Sequence, residues 1–323
     1  MRSSTRGSGT EGNRLGEPPQ EQASYGRRAD FRYTLRLLRQ NPIVLAGAVI
    51  SAISVFVALF SWVFVSPSYW TQLDPPLKLC WNNAIIDWHI QNAVTSCGST
   101  VFPLGSDNYG RGLLQMILIS VPVDLQIAFE VVASAVILGT VLGGTAAYVG
   151  GVADEVILRL TDIFLAVPGI LLAIVLMVIL GRTIPILTAS VLVTWWPFYV
   201  RLARSQVLSE KEKLYVERLR ATGVSAPRIL FRHIIPNTIY PVLVQATLDI
   251  GAVILTVSAL MFIGLTPDPK YPELGNLAKQ GIQYIFTAPW LIIFPGLTLL
   301  IISVGFNLLG DGVRDVFDPR LRR

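Results

Sequence analysis

Few side chains in this sequence of 323 residues could do chemistry, and they fall into three groups. The first is a polar stretch from Arg201 to Asn237, set between two long apolar segments. It carries eight basic residues together with Glu217, Gly223, His233 and Pro236. The second is Cys80 and Cys97, with His89 between them and Asp87 close by. The third is a pair of carboxylates inside apolar runs, Glu130 and Asp249. A carboxylate at membrane depth is costly to bury and by default marks a cavity or pathway; pairing with another chain, or reaching out near a span end, is the plainer alternative for either residue.

The absent motifs narrow the chemistry. No G-x-x-x-x-G-K-S/T phosphate loop is present, since none of the five lysines follows a glycine, so the chain does not bind ATP in the usual way. No G-x-S-x-G or H-E-x-x-H motif occurs, nor a Cys–His pair with an orienting carboxylate. The sequence therefore reads as a non-enzyme that binds no cofactor of its own. Nucleic acid is not an expected partner either, because the basic residues lie between apolar spans and form no basic, aromatic face.

The elements that must position these residues are membrane helices. The chain is 52% hydrophobic and only 15% charged, against roughly a quarter charged in a soluble domain. A helix needs about 20 apolar residues to cross a bilayer. Six spans are expected, near 43–65, 126–149, 162–181, 184–202, 238–264 and 289–310. Only Gly181, Arg182 and Thr183 separate the third from the fourth, and Pro185 suits the first turn of the latter. With a cytoplasmic N-terminus, 21 Lys and Arg residues lie inside and 5 outside, so both termini are expected in the cytoplasm. The first span follows some forty polar residues and is too long for a signal peptide.

Five regions follow. Residues 1–30 are expected to be a disordered tail. Residues 31–65 hold an amphipathic stretch and the first span, and 66–118 form a long outer loop. Residues 119–310 form a core of five spans with a cytoplasmic loop over 203–236, and 311–323 form a second tail. On the outer, oxidising side a Cys80–Cys97 disulfide is a better expectation than zinc, for which no C-x-x-C or H-x-x-x-H spacing exists. Pro267, Pro269 and Pro272, followed by Leu274-Gly275-Asn276, imply a re-entrant or surface hairpin before the last span.

Within the basic loop, Lys211 to Arg220 reads as a helix with apolar bulk on one side, ended by Gly223 in a left-handed conformation. Ser225 and Pro227 then suit the start of a second helix, and Pro236 marks entry into the fifth span. Two short helices meeting at a glycine make a knob that fits a cleft in a soluble partner. At these residues the chain resembles the permease subunits of ABC importers. Their cytoplasmic loop runs E-A-A, three residues, G, nine residues and, in this branch, H-x-x-P. Glu217, Gly223, His233 and Pro236 match at that spacing, while Arg218 and Leu219 replace the two alanines.

Further segments point to the C-type subunit of the dipeptide/oligopeptide permease family. Pro103 to Arg111 resembles P-L-G-T-D-x-x-G-R, and Asn307 to Asp315 with Asp318-Pro319-Arg320 resembles N-L-L-G-D-G-L-R-D…D-P-R. Ala288-Pro289-Trp290 and Phe294-Pro295-Gly296 match the entry to the last span. The resemblance implies an all-α type I importer permease (MetI-like) fold in the prokaryotic inner membrane. It also implies a B-type permease partner, two ABC ATPase subunits that use ATP and Mg, and an extracytoplasmic solute-binding protein. Peptides are the implied cargo; nickel, opines and oligosaccharides travel through similar permeases. A secondary transporter, or a membrane-anchored structural or signalling protein, is the competing reading. In the importer reading Glu217, Arg218, Gly223, Pro227, His233 and Pro236 meet the ATPase, and Asp249 and Glu130 line the path.

Overall fold

The computed structural model describes residues 42–64, 104–105, 111–269 and 271–317. The amphipathic stretch, both cysteines, His89 and Asp87 lie outside them. Every regular element among the described residues is helical, as expected where apolar surroundings leave backbone groups to be satisfied within their own segment. Five helices are long and apolar enough to cross a membrane, or six spans if one sharply bent pair counts as a further crossing.

Helix α1, Pro42–Phe64, coincides with the first expected span. Helix α2, Leu113–Val149, has 37 residues and begins well before position 126. Pro122 and Asp124 interrupt the apolar run there. The helix continues because its early residues, including Met116, Val121 and Leu125, are buried against the rest of the bundle. Gly139 and Gly143 of α2 meet the backbone of Tyr199 and Val200 so closely that a methyl group at either would overlap it.

The third expected span is not one helix. Helix α3, Gly151–Leu165, carries Asp154, Glu155, Arg159 and Asp162. Helix α4, Gly169–Leu180, carries no charge and has 12 residues, or about 18 Å of rise, against a hydrocarbon core of about 30 Å. The two are bent by 83° around Ala166, Val167 and Pro168. The cause is local: proline disfavours a helical residue before it and cannot donate to the preceding turn.

Helix α5, Ile184–Lys211, starts at Thr183, whose hydroxyl accepts the Ile186 N–H (3.4 Å), and has Pro185 in its first turn. Helix α6, Leu214–Ala221, follows almost at once. Helix α7, Ala226–Ile229, passes through a π-helical turn at Leu230–Ile234 into α8, Ile235–Phe262. The wide turn removes the clash that Pro236 would make with a regular preceding turn, so the chain from Ala226 to Phe262 is one rod.

Beyond α8, the proline-rich segment leads to the short helix α9, Leu274–Gly281, and a 3-10 turn at Ile282–Tyr284. Residues Leu274 to Ala278 are buried, and α9 packs among α2, α8 and the last helix, α10, Trp290–Phe317. The main apolar core draws on α2, α5, α8, α9 and α10, and a smaller one lies under α6 and α7.

Candidate functional site

The loop between α5 and α8 folds as a knob because its local signals agree. Helix α6 ends with Gly223 at φ 77°, a conformation costly for any residue with a Cβ. The Gly223 N–H donates to Arg220 O (3.0 Å) and the Val224 N–H to Leu219 O (3.1 Å), the paired bonds of a Schellman end. That motif brings the residue after the glycine against the third from the helix end, here Val224 against Leu219. Both pack on a small core of Ala147, Val207, Val216, Ile229, Leu230 and Ile234. This accounts for leucine where the family pattern has alanine. Ser225 occupies the N-cap position of α7, but its side chain makes no capping bond.

Polar contacts fix the knob and the adjoining helix ends to the bundle. Lys211 Nζ donates to the Ala147 carbonyl near the end of α2 (2.7 Å), where basic groups complement the helix dipole. Arg220 lies 5.4 Å from the centre of the Tyr148 ring, a cation–π contact. Arg204 donates to both oxygens of Asp154 (2.6 Å each), tying α5 to α3, and Arg201 pairs with Asp162. Tyr215 donates to Glu210 (2.9 Å), which also pairs with Lys213 (2.6 Å). Glu217, Arg218, Gly223, Pro227, Arg228, Phe231, Arg232 and Pro236 remain exposed, and His233 is half-buried in the π turn. The knob thus has a packed inner face and an outer face rich in charge.

The two intramembrane carboxylates part company. Glu130 is exposed on α2, where it accepts a hydrogen bond from Gln126 (2.8 Å). Asp249 is buried at the middle of α8. Its Oδ2 accepts the Tyr199 hydroxyl (2.6 Å), and its Oδ1 accepts the Gln245 amide (3.0 Å). Tyr199 belongs to α5, so this contact joins two transmembrane helices.

A second carboxyl cluster escapes the sequence reading. Asp124 and Glu273 are both buried with their carboxyl groups close enough to interact, and a single proton held between them would relieve their repulsion. Glu273 caps α9 by accepting the Gly275 (2.9 Å) and Asn276 (2.7 Å) N–H groups, and it accepts the Ser258 hydroxyl (2.6 Å). Asp124 accepts the Leu274 N–H (3.3 Å). Burial pushes the Glu273 carboxyl above its usual range, against those hydrogen bonds. The signals were an acidic residue just before a Leu-Gly-Asn helix start, and an aspartate inside an apolar run.

The described residues thus form a bundle of long apolar helices bearing an anchored knob with a charged outer face. Residues 135–323 match the family described as binding-protein-dependent transport system inner membrane component, and the chain belongs to that family. It is the permease component of an ABC importer. The chain is 34% identical to the dipeptide transport system permease protein of Alkalihalophilus pseudofirmus over 94% of both sequences. It is 36% identical to the Escherichia coli dipeptide transport system permease protein, over 86% of this chain and 90% of that one. The Bacillus subtilis oligopeptide transport system permease protein is 29% identical over 88% of both.

Proposed function

We propose that this chain forms one half of the translocation path of a peptide importer, with six spans and both termini in the cytoplasm. A B-type permease supplies the other half, two ABC ATPase subunits bind inside, and a solute-binding protein delivers cargo outside. ATP and Mg are used on the ATPases, and this chain is not catalytic. The relatives' names favour peptides over nickel or oligosaccharides as cargo. The α3–α4 pair serves as the third, broken span.

The observation that carries this reading is the knob, anchored on its inner face and exposed at Glu217, Arg218, Gly223, Pro227 and Phe231. An element held that firmly passes a push from outside into α5 and α8, which leave it as long helices. Closure of the ATPases then rocks these helices to alternate access. His233 and Pro236 shape the base of the knob, and Asp249 and Glu130 line the path. The test is co-purification of the ATPases with Glu217→Lys and Gly223→Pro variants, alongside peptide uptake. Both variants are expected to lose ATPase association and uptake while the permease pair still assembles. Undiminished association would overturn the docking role.

A further inference from the structure

The break between α3 and α4 opens a cavity of about 420 Å³ toward α5 and α8, within the range of small-ligand sites. Gly169 and Ile170 form one wall, Trp195 and Phe198 of α5 a second, and Gln245 and Asp249 of α8 a third. Gly169 brings the α4 start so near α5 that a Cβ there would sit 3.3 Å from Thr194, so the broken span is seated against this wall.

The chemistry inside is one-sided. No Lys, Arg or His is among the residues lining the cavity, and the one ionisable group is Asp249. Its Oδ2 accepts from Tyr199 and its Oδ1 from Gln245, the Trp195 indole N–H also bonds the carboxylate, and a carboxylate has about four acceptor positions in all. With three donors in place, about one acceptor position remains on the carboxylate. Trp195 and Phe198 add aromatic side chains to the lining, and the negative quadrupole of an aromatic ring attracts a cation stripped of part of its water. A carboxylate with spare acceptor capacity between aromatic walls is a receptor for an ammonium group.

We propose that this cavity is a transit site for the α-ammonium group of a peptide, with Asp249 as counter-charge and Trp195 and Phe198 as the cation-facing walls. The proposal rests on the peptide-import reading above and names the part of the cargo that the path recognises. Every unblocked peptide carries this group whatever its side chains, so a site built on it passes cargo without reading sequence.

The test uses the full permease–ATPase complex in nanodiscs without the binding protein, so that selection by that protein does not enter. Ligand-observed saturation-transfer NMR is recorded with three probes: phenylalanyl-alanine, its N-acetylated form, and N-acetyl-alanyl-lysine. The parent complex is expected to give a signal at least ten-fold stronger for the unblocked dipeptide than for either blocked probe. Asp249→Asn is expected to abolish that difference, and Trp195→Leu to reduce it several-fold. Asparagine can still accept from Tyr199 and donate to the Gln245 carbonyl oxygen, so a merely structural link between α5 and α8 would survive this change. Equal parental signals for blocked and unblocked dipeptide overturn the proposal, as does discrimination retained in Asp249→Asn. A parental signal for N-acetyl-alanyl-lysine as strong as for the unblocked dipeptide overturns the α-ammonium assignment in favour of side-chain ammonium. An intact complex that imports no peptide at all contradicts the import reading instead.

Discussion

The knob between α5 and α8 and the helix α9 between α8 and α10 are both short helical excursions between long helices, and they treat their polar residues in opposite ways. The knob buries apolar side chains beneath it and turns Glu217, Arg218 and Arg228 outward. Helix α9 is sunk among α2, α8 and α10, and its key polar groups, Glu273 and Asn276, are almost wholly buried. Asn276 donates to the carbonyls of Pro269 (3.0 Å) and Tyr271 (2.8 Å), so it stitches the proline-rich segment to the helix start. The difference teaches that acidic and basic residues in loops have two distinct uses. At the knob they stay solvated, cost little and remain available to a partner. At α9 they replace backbone partners that a buried helix end would otherwise lack.

The contrast can be broken by substitution, and the largest effect is expected at α9. Glu273→Ala strands three buried donors, each worth about 1–3 kcal/mol when unsatisfied. The variant should lose most of its thermal stability in detergent or fail to accumulate. Glu273→Gln keeps an acceptor and can donate to Asp124, so it should fold; equal stability of the Ala and Gln variants would contradict the capping role.

A second test uses pH. Glu273 is raised by burial, so the folded state holds its proton at pH values where the unfolded chain has released it. Its contribution is fully present below the ordinary glutamate value of 4.5 and is lost as pH rises through the folded-state value. Hydrogen-exchange protection of the Gly275 and Asn276 amides, corrected for the intrinsic exchange rate, should therefore fall as pH is raised above the ordinary glutamate value. Glu273→Gln should flatten the response, while knob amides should show no such trend from this residue.

At the knob, Leu219→Ala thins the contact with Val224 and should cost about 1 kcal/mol, read as a lower unfolding midpoint. Arg204→Ala removes a two-bond pair with Asp154 that is only partly exposed, and about 1 kcal/mol is again expected. Loosening of α3 in that variant would appear as faster exchange in its first turns. The smallest effect is reserved for Arg218→Ala, which should change stability by no more than about 0.5 kcal/mol because the side chain is exposed. Its consequence should appear only in ATPase association, which would sharpen the division between a presenting and a buried excursion.

Much of this arrangement can be read from sequence, for reasons that also explain the misses. The long apolar helices announce themselves because length and apolar character are local properties. The turn at Gly223 is equally local, resting on one residue that tolerates positive φ. The α3–α4 bend is hidden because Ala166, Val167 and Pro168 are all apolar, and hydropathy does not register a change of direction. Pro168 was the available warning. Asp124 was lost for a related reason: a second span begun at position 126 leaves it outside, although the helix starts at Leu113. Pairings such as Lys211 with Ala147 or Asp124 with Glu273 join residues far apart in the chain. No spacing rule reaches them.

The glycines of α2 carry one more consequence. Gly139 and Gly143 seat α5 at backbone distance, and Gly251 does the same for α10 against α8, where a Cβ would sit 2.8 Å from the Ser303 oxygen. Partners that close have no room to slide, so α2 with α5 makes one blade and α8 with α10 another. The knob joins the blades at one end, like the handles of scissors. Tyr199 lies on the first blade and Asp249 on the second, so their hydrogen bond spans the two, and a change of angle between them must be felt at that carboxylate.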